Sequence, residues 1–209
     1  MYFIVASSVL VLISIASRCA GAPALSPSEF LDVAGTSIAV GPDHACVLQR
    51  IRGLDYGGRS LCWGLEYHYK GGINPQAYDS EAIYIQVISG YRFSCGITLD
   101  QNVHCWGVLS AYAPKGLFNQ LASSNRRLFA CGVKVDGSIS CFGKDHSRVK
   151  KLQGKIDNDK NCVYVQVSCA SDHCCGLDVS GQTHCWGDFR FDYGQGTPPK
   201  TRKAVAVGM

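Results

Sequence analysis

Twelve cysteines are the residues of this chain with the most chemistry to offer, and eight of them fall into a repeating frame. Four segments read HACVL…SLCWG, FSCGITLDQNVHCWG, FACGVKVDGSISCFG and HCCGLDVSGQTHCWG. Each carries a cysteine, a polar turn, a second cysteine, an aromatic ring and a glycine. Cysteines can form disulfides, ligate a metal or act as nucleophiles. In three copies nine residues separate the pair: Cys95 and Cys105, Cys131 and Cys141, Cys175 and Cys185. An odd count centres a hairpin turn on one residue, Asp136 in the third copy. It sets the two cysteines face to face across an antiparallel pair, where a disulfide fits. Fifteen residues separate Cys46 from Cys62, so the first copy carries an insertion at its hairpin tip. The expected disulfides are Cys46–Cys62, Cys95–Cys105, Cys131–Cys141 and Cys175–Cys185. Cys162, Cys169 and Cys174 make an odd remainder once Cys19 is removed with a leader, so one free or intermolecular thiol is expected.

Histidines stand beside these cysteines at His44, His104, His173 and His184. A zinc site would need four converging ligands. Phe93 and Phe129 fill the slots of His44 and His173, so the slot accepts a ring with no lone pair. The histidines are read as half-buried strand residues, with no metal and no cofactor. No G-x-S-x-G, P-loop, H-E-x-x-H or dinucleotide fingerprint occurs. The chain is read as a non-enzyme; a secreted enzyme or enzyme inhibitor on the same scaffold is the alternative.

Hairpins must position these pairs. The third copy predicts a loop Val135-Asp136-Gly137 and the fourth Val179-Ser180-Gly181, each ending on a glycine that accepts a left-handed backbone. Gln101 holds that place in the second copy, so a less regular turn is expected there. Upstream of the hairpins lie alternating, β-branched stretches: TSIAVG (36–41), IYIQVISG (83–90), VYVQVSCA (163–170) and the less clear LFNQLASS (117–124). The chain ends on KAVAVGM, the opening strand of a fifth unit. The period is about 42 residues, with three visible strands and a fourth assigned to linkers such as 65–80 and 188–200. Four short strands per unit of this length fit a propeller blade. The ring after each second cysteine (Trp63, Trp106, Phe142, Trp186) reads as packing between blades; a ligand-binding aromatic ladder is the alternative.

Bulk properties bound the rest. Hydrophobic residues make up 46% of the 209, so the chain is globular rather than disordered. A formal charge of +4 is too weak to imply nucleic acid. The apolar start MYFIVASSVLVLISIAS, followed by small residues, reads as a secretory signal over 1–21, leaving 22–209 as the repeat domain with no membrane span. Abundant paired cysteines agree with an oxidising, extracellular location. The units run about 36–82, 83–117, 118–162 and 163–203, with a fifth beginning at 204–209.

GPDHACVL, the C-W-G endings and Tyr193-Gly194-Gln195 before the last VAVG resemble the repeat of the regulator-of-chromosome-condensation superfamily. The doubled cysteines in FSCGITL…CWG and FACGV…CFG are similar to the ectodomain of Crinkly-type plant receptor-like kinases. The resemblance covers about residues 30–208. It implies a β-propeller, commonly seven-bladed, used for protein recognition. Only four units and one further strand are present, so the expectation is an all-β, incomplete or open propeller. An exposed edge at Ala204–Met209 is expected to favour self-association.

The expected partner is an extracellular protein or peptide. One candidate contact group is the set of turns after the inner strands: Asp43, Tyr91, Arg92, Ser171 and Asp172. Another is the insertion Arg50–Arg59, presenting Arg50, Arg52, Tyr56 and Arg59 from a hairpin tip. The stretch 144–161, with six basic and three acidic residues, reads as a solvated loop between units; a basic contact patch for an acidic partner or polysaccharide is the alternative.

Overall fold

β-Branched alternation and glycine-closed turns lay the described residues out as twelve short strands in four antiparallel triplets. The computed structural model describes residues 38–52, 54, 57–64, 82–159, 162–188 and 193–198. The leader 1–21, Tyr56 and the closing strand 204–209 lie outside the described residues. The first unit is β1 (Ile38–Val40), β2 (His44–Arg50) and β3 (Gly58–Gly64). The second is β4 (Tyr84–Gly90), β5 (Phe93–Thr98) and β6 (Val103–Gly107). The third is β7 (Phe118–Ser123), β8 (Phe129–Lys134) and β9 (Ile139–Gly143). The fourth is β10 (Tyr164–Cys169), β11 (His173–Asp178) and β12 (Thr183–Gly187). LFNQLASS thus forms an inner strand like the others, with the same register shift as β4 and β10. The sheets do not close into a ring, and the fold is an all-β, open propeller array.

The hairpin register pairs Cys46 with Cys62, Cys95 with Cys105, Cys131 with Cys141 and Cys175 with Cys185, and each pair is a disulfide. A fifth bond joins Cys169 to Cys174 across the tight β10–β11 turn. Cys162 is disulfide-bonded as well. The expectation of a free thiol is therefore corrected: the described residues contain none.

Three more expectations change. Gln101 adopts φ +64°, beside +78° at Gly137 and +81° at Gly181. Its turn closes with the same two bonds: Thr98 N donates to Asn102 O and Gln101 N to Thr98 O. The turn is regular because side chains hold it. Thr98 Oγ1 and Asn102 Nδ2 both donate to Asp100, and Gln101 Nε2 donates to Asn119 Oδ1 at 2.9 Å. Second, the described residues of the linkers of the second and third units hold no fourth strand, while the linker 65–80 and part of 188–200 lie outside the described residues. Residues 108–117 form turns, and the expected solvated loop is instead helix α1 (His146–Ile156). Asp145 caps it, its side chain accepting from Arg148 N. Val149, Leu152 and Ile156 share one face at helical spacing and seat it on the core between the third and fourth units. Third, the rings after the second cysteine are not equivalent. Trp106, Phe142 and Trp186 are 1%, 7% and 5% exposed, but Trp63 is 51% exposed.

Strand alternation explains that difference. Adjacent residues point to opposite faces of a sheet, so each unit has a disulfide face and an aromatic face. Trp106 packs with Cys46, Leu48 and Cys62 of the first unit. Phe142 packs with Cys95, Ile97 and Cys105 of the second, and Trp186 with Cys131, Val133 and Cys141 of the third. Every covered ring therefore lies on the disulfide face of the preceding unit; Trp63 holds the same place on the first unit, which no described unit precedes.

Backbone joints fix the same direction. Phe118 N donates to Gln101 O at 2.9 Å, and Tyr164 N to Gly137 O at 2.8 Å. Each hairpin tip thus accepts from the first residue of the next inner strand. In the first unit the joint is the pairing of Gly58 with Tyr84. A glutamine in each of two inner strands adds a clamp. Gln86 donates to Leu121 O and accepts from Leu121 N, at 3.1 and 2.7 Å. Gln120 does the same to Val167, at 3.0 and 2.8 Å.

Candidate binding face

The turns after the inner strands gather at one end of the array. Three are closed alike, by Gly41 N to His44 O, Ser124 N to Phe129 O and Ala170 N to His173 O. The first and last of these enclose two residues, whereas the third unit's turn encloses four, Asn125–Leu128. A depression of about 610 Å³ opens here, lined by Val40, Gly41, Pro42, Tyr91, Asn125 and Arg126. Asp43, half-buried next to Pro42 in sequence, does not line it. Arg92 adopts a left-handed backbone, φ +61°, and lays its guanidinium 4.9 Å from the centre of the Tyr91 ring. The depression thus offers an aromatic ring, a proline, an amide and the exposed cation of Arg126, which suits a peptide or protein surface.

The structure separates the residues singled out from sequence. Tyr91 lines the depression. Asp172 is instead a brace: Arg127 Nε lies 3.3 Å and Arg148 Nη1 2.5 Å from its Oδ1. Ser171 donates to Asn125 Oδ1 at 3.0 Å. Arg50 and Arg52 stand at the far end of the seven-residue β2, about 20 Å from Asp43 at ~3.3 Å per residue. Arg59, exposed opposite Gln49, belongs with them. The tip and the turns are therefore two surfaces. Asn125 and Arg126 were missed by the sequence reading; the signal was the longer third turn, SSNRRLF.

Helix α1 borders a second groove of about 200 Å³. Its cations face the fourth unit: Arg148 meets Asp172, Lys151 Nζ lies 4.0 Å from Asp188, and Lys155 Nζ donates to Gly187 O at 2.5 Å. These basic side chains fasten the helix down.

Two clusters could suggest other chemistry. Cys162, Asp178 and His184 lie together. The imidazole meets Cys162 Sγ at 3.9 Å and Asp178 Oδ2 at 3.0 Å through one and the same nitrogen, Nε2. A nucleophile-base-orienter chain needs the two ring nitrogens for two partners, and the Cys162 sulfur is already oxidised. Burial alone would raise the carboxyl of Asp178. Hydrogen bonds from His184, Ser180 and Gln182 outweigh it and hold the group below the usual range. Cys131, Cys169 and Cys174 also converge, but their sulfurs are bound in two disulfides. His44 is buried rather than half-buried, its Nε2 2.7 Å from Ser94 Oγ of the next unit. Burial pushes its pKa below 6.5, opposed in part by the charge of Asp43.

The fold is similar to that of RCC1-like β-propellers, present here in part. Among solved structures, it resembles the CRINKLY WD40 ectodomain of the Arabidopsis thaliana receptor kinase ACR4, at TM-score 0.52 and 22% identity over 73% of this chain and 49% of that one. It also resembles the entire ectodomain of the Physcomitrella patens receptor kinase CR4, at TM-score 0.56 and 25% identity over 79% and 43%. Prp20p from Saccharomyces cerevisiae matches at TM-score 0.52 and 15% identity over 81% and 47%. The chain spans about half the length of these structures. No protein-family model and no curated protein matches it. Five described disulfides and this resemblance are consistent with an extracellular domain. No described helix is long and apolar enough to cross a membrane.

Proposed function

We propose that the chain is a secreted, non-enzymatic recognition module that binds an extracellular protein or peptide in the depression at the turn end of the array. The observation that carries this reading is the convergence of Pro42, Tyr91, Asn125 and Arg126 from three units on one concave surface. Large, stiff side chains of this kind anchor protein interfaces. Disulfides, clamps and ion pairs hold the turns from below, so little ordering is left for the moment of binding.

The test is binding of the exported chain, as a tagged secreted protein, to intact cells of its source. Tyr91→Ala combined with Arg126→Glu is expected to lower binding at least about tenfold, a loss typical of interface anchors. Arg52→Ala with Arg59→Ala is expected to leave it unchanged. The opposite pattern would move the binding site to the hairpin tip. Export itself is tested by amino-terminal sequencing of the secreted material; a start at Met1 would overturn the assignment of 1–21 as a leader.

A further inference from the structure

The aromatic face of the first unit stands open. Cross-strand partners share a face, so the register places Val40, Ala45 and Trp63 in one row and Ile38, Val47 and Leu61 in the next. Ile38, Val40, Leu61 and Trp63 are 55%, 74%, 42% and 51% exposed. In the other three units the same face is covered by the unit before. An apolar patch of this kind on a soluble domain marks a contact surface.

We propose that this face packs against the same face of a second copy of the chain, forming an isologous two-fold dimer. The pattern within the chain points to a sheet as the occupant, since sheets cover the equivalent face three times over. A head-to-tail contact would need a free disulfide face on the fourth unit. Little apolar surface is open there: Cys175 is 5% and Leu177 3% exposed, and Thr183 and Cys185 beside them are half-buried. A self-complementary contact needs only the open face itself. The two apolar rows carry no charge, and Arg59 beside Gln49 forms the rim. The exposed parts of the four large side chains amount to roughly 400 Å² per copy, given the size of such residues. Two copies with their rims reach the ~1,000 Å² that a specific but weak dimer requires. Val40 also borders the turn-end depression, so the test relies on Trp63 and Leu61, which do not line it.

Sedimentation of the intact exported chain from about 1 to about 100 µM, the range of weak complexes, should show a monomer passing to a dimer. Trp63→Glu and Leu61→Glu should each be monomeric throughout, with unchanged thermal unfolding. Trp106 and Trp186 are buried, so the unmodified chain carries its own probe. Emission from Trp63, isolated by difference from Trp63→Phe, should shift to the blue as concentration rises. The proposal is overturned by a wild-type monomer at the highest concentration or by an invariant Trp63 spectrum. A dimer that survives both charged variants, or open-ended oligomers in place of a dimer, overturns it equally.

Discussion

The junction between the first and second units and that between the third and fourth share one socket and fill it with different chemistry. The socket lies opposite the buried ring. In the second unit it holds Ser94, whose Oγ meets His44 Nε2 at 2.7 Å and Cys46 Sγ at 3.3 Å. In the fourth it holds Cys174, whose sulfur lies 3.6 Å from that of Cys131 and is tied to Cys169. The later junction also has the Gln120 clamp, helix α1 and the Arg127–Asp172–Arg148 ion pairs. Backbone geometry sets the socket; side chains decide whether it is polar and titratable or sulfur-lined and indifferent to pH.

The sharpest way to break this comparison is to remove the rings. Trp106→Ala and Trp186→Ala should each cost about 3–5 kcal/mol in denaturant unfolding, as buried aromatics do. Trp63→Ala should stay within ~0.5 kcal/mol in the monomer, as an exposed residue does. Equal losses at all three would mean the junctions are not built in one direction. Removing the disulfides comes next. Loop-closure entropy gives about 3 kcal/mol for Cys46–Cys62 and about 2 kcal/mol for the shorter Cys169–Cys174 loop. A larger loss at Cys169–Cys174 would show that its contact with Cys131 matters more than the loop it closes. Gln120→Ala should cost about 1–3 kcal/mol, because it strands buried backbone groups of Val167. Loss of exchange protection at the Val167 amide is its local sign.

The smallest effect concerns pH. Burial lowers the folded pKa of His44 below 6.5, so the unfolded chain binds a proton first. Stability at the first junction should fall as pH drops below 6.5, until the folded group protonates too. His44→Phe, which copies Phe93 and Phe129, should flatten that limb of the melting-temperature profile. Asp178 has a lowered folded pKa, so its contribution is complete well above 3.8 and is lost as pH falls through the folded value. The fourth unit should therefore hold until more acid conditions than the first junction.

Much of this was legible in the sequence because cysteine spacing and glycine placement encode register directly. Nine residues between Cys131 and Cys141 leave one hairpin that sets them opposite each other. The exposure of Trp63 was not legible, because a residue's type does not say which neighbour covers it. Helix α1 was hidden by its charge: KDHSRVKKLQGKI reads as solvated until Val149, Leu152 and Ile156 find a core to lie on. The glutamine clamps were in plain view in YIQV and FNQL, but a buried glutamine looks like a strand's polar face until its partner is known. The turn face was half legible, since Tyr91 was named and Arg126 was not.

The glutamine clamps have a consequence for how the molecule is made. In both, the side chain belongs to the earlier unit and the backbone it grips to the later one. The tip joints run the same way, and each of the five disulfides with both cysteines described closes within its own unit. A chain leaving the ribosome or a translocation pore amino end first therefore completes each unit before the next appears. The finished unit then offers a ready-made receptor for the incoming inner strand. Assembly is vectorial, like a zip closed from one end, and a stall after any unit leaves a stapled intermediate with its next docking site already in place.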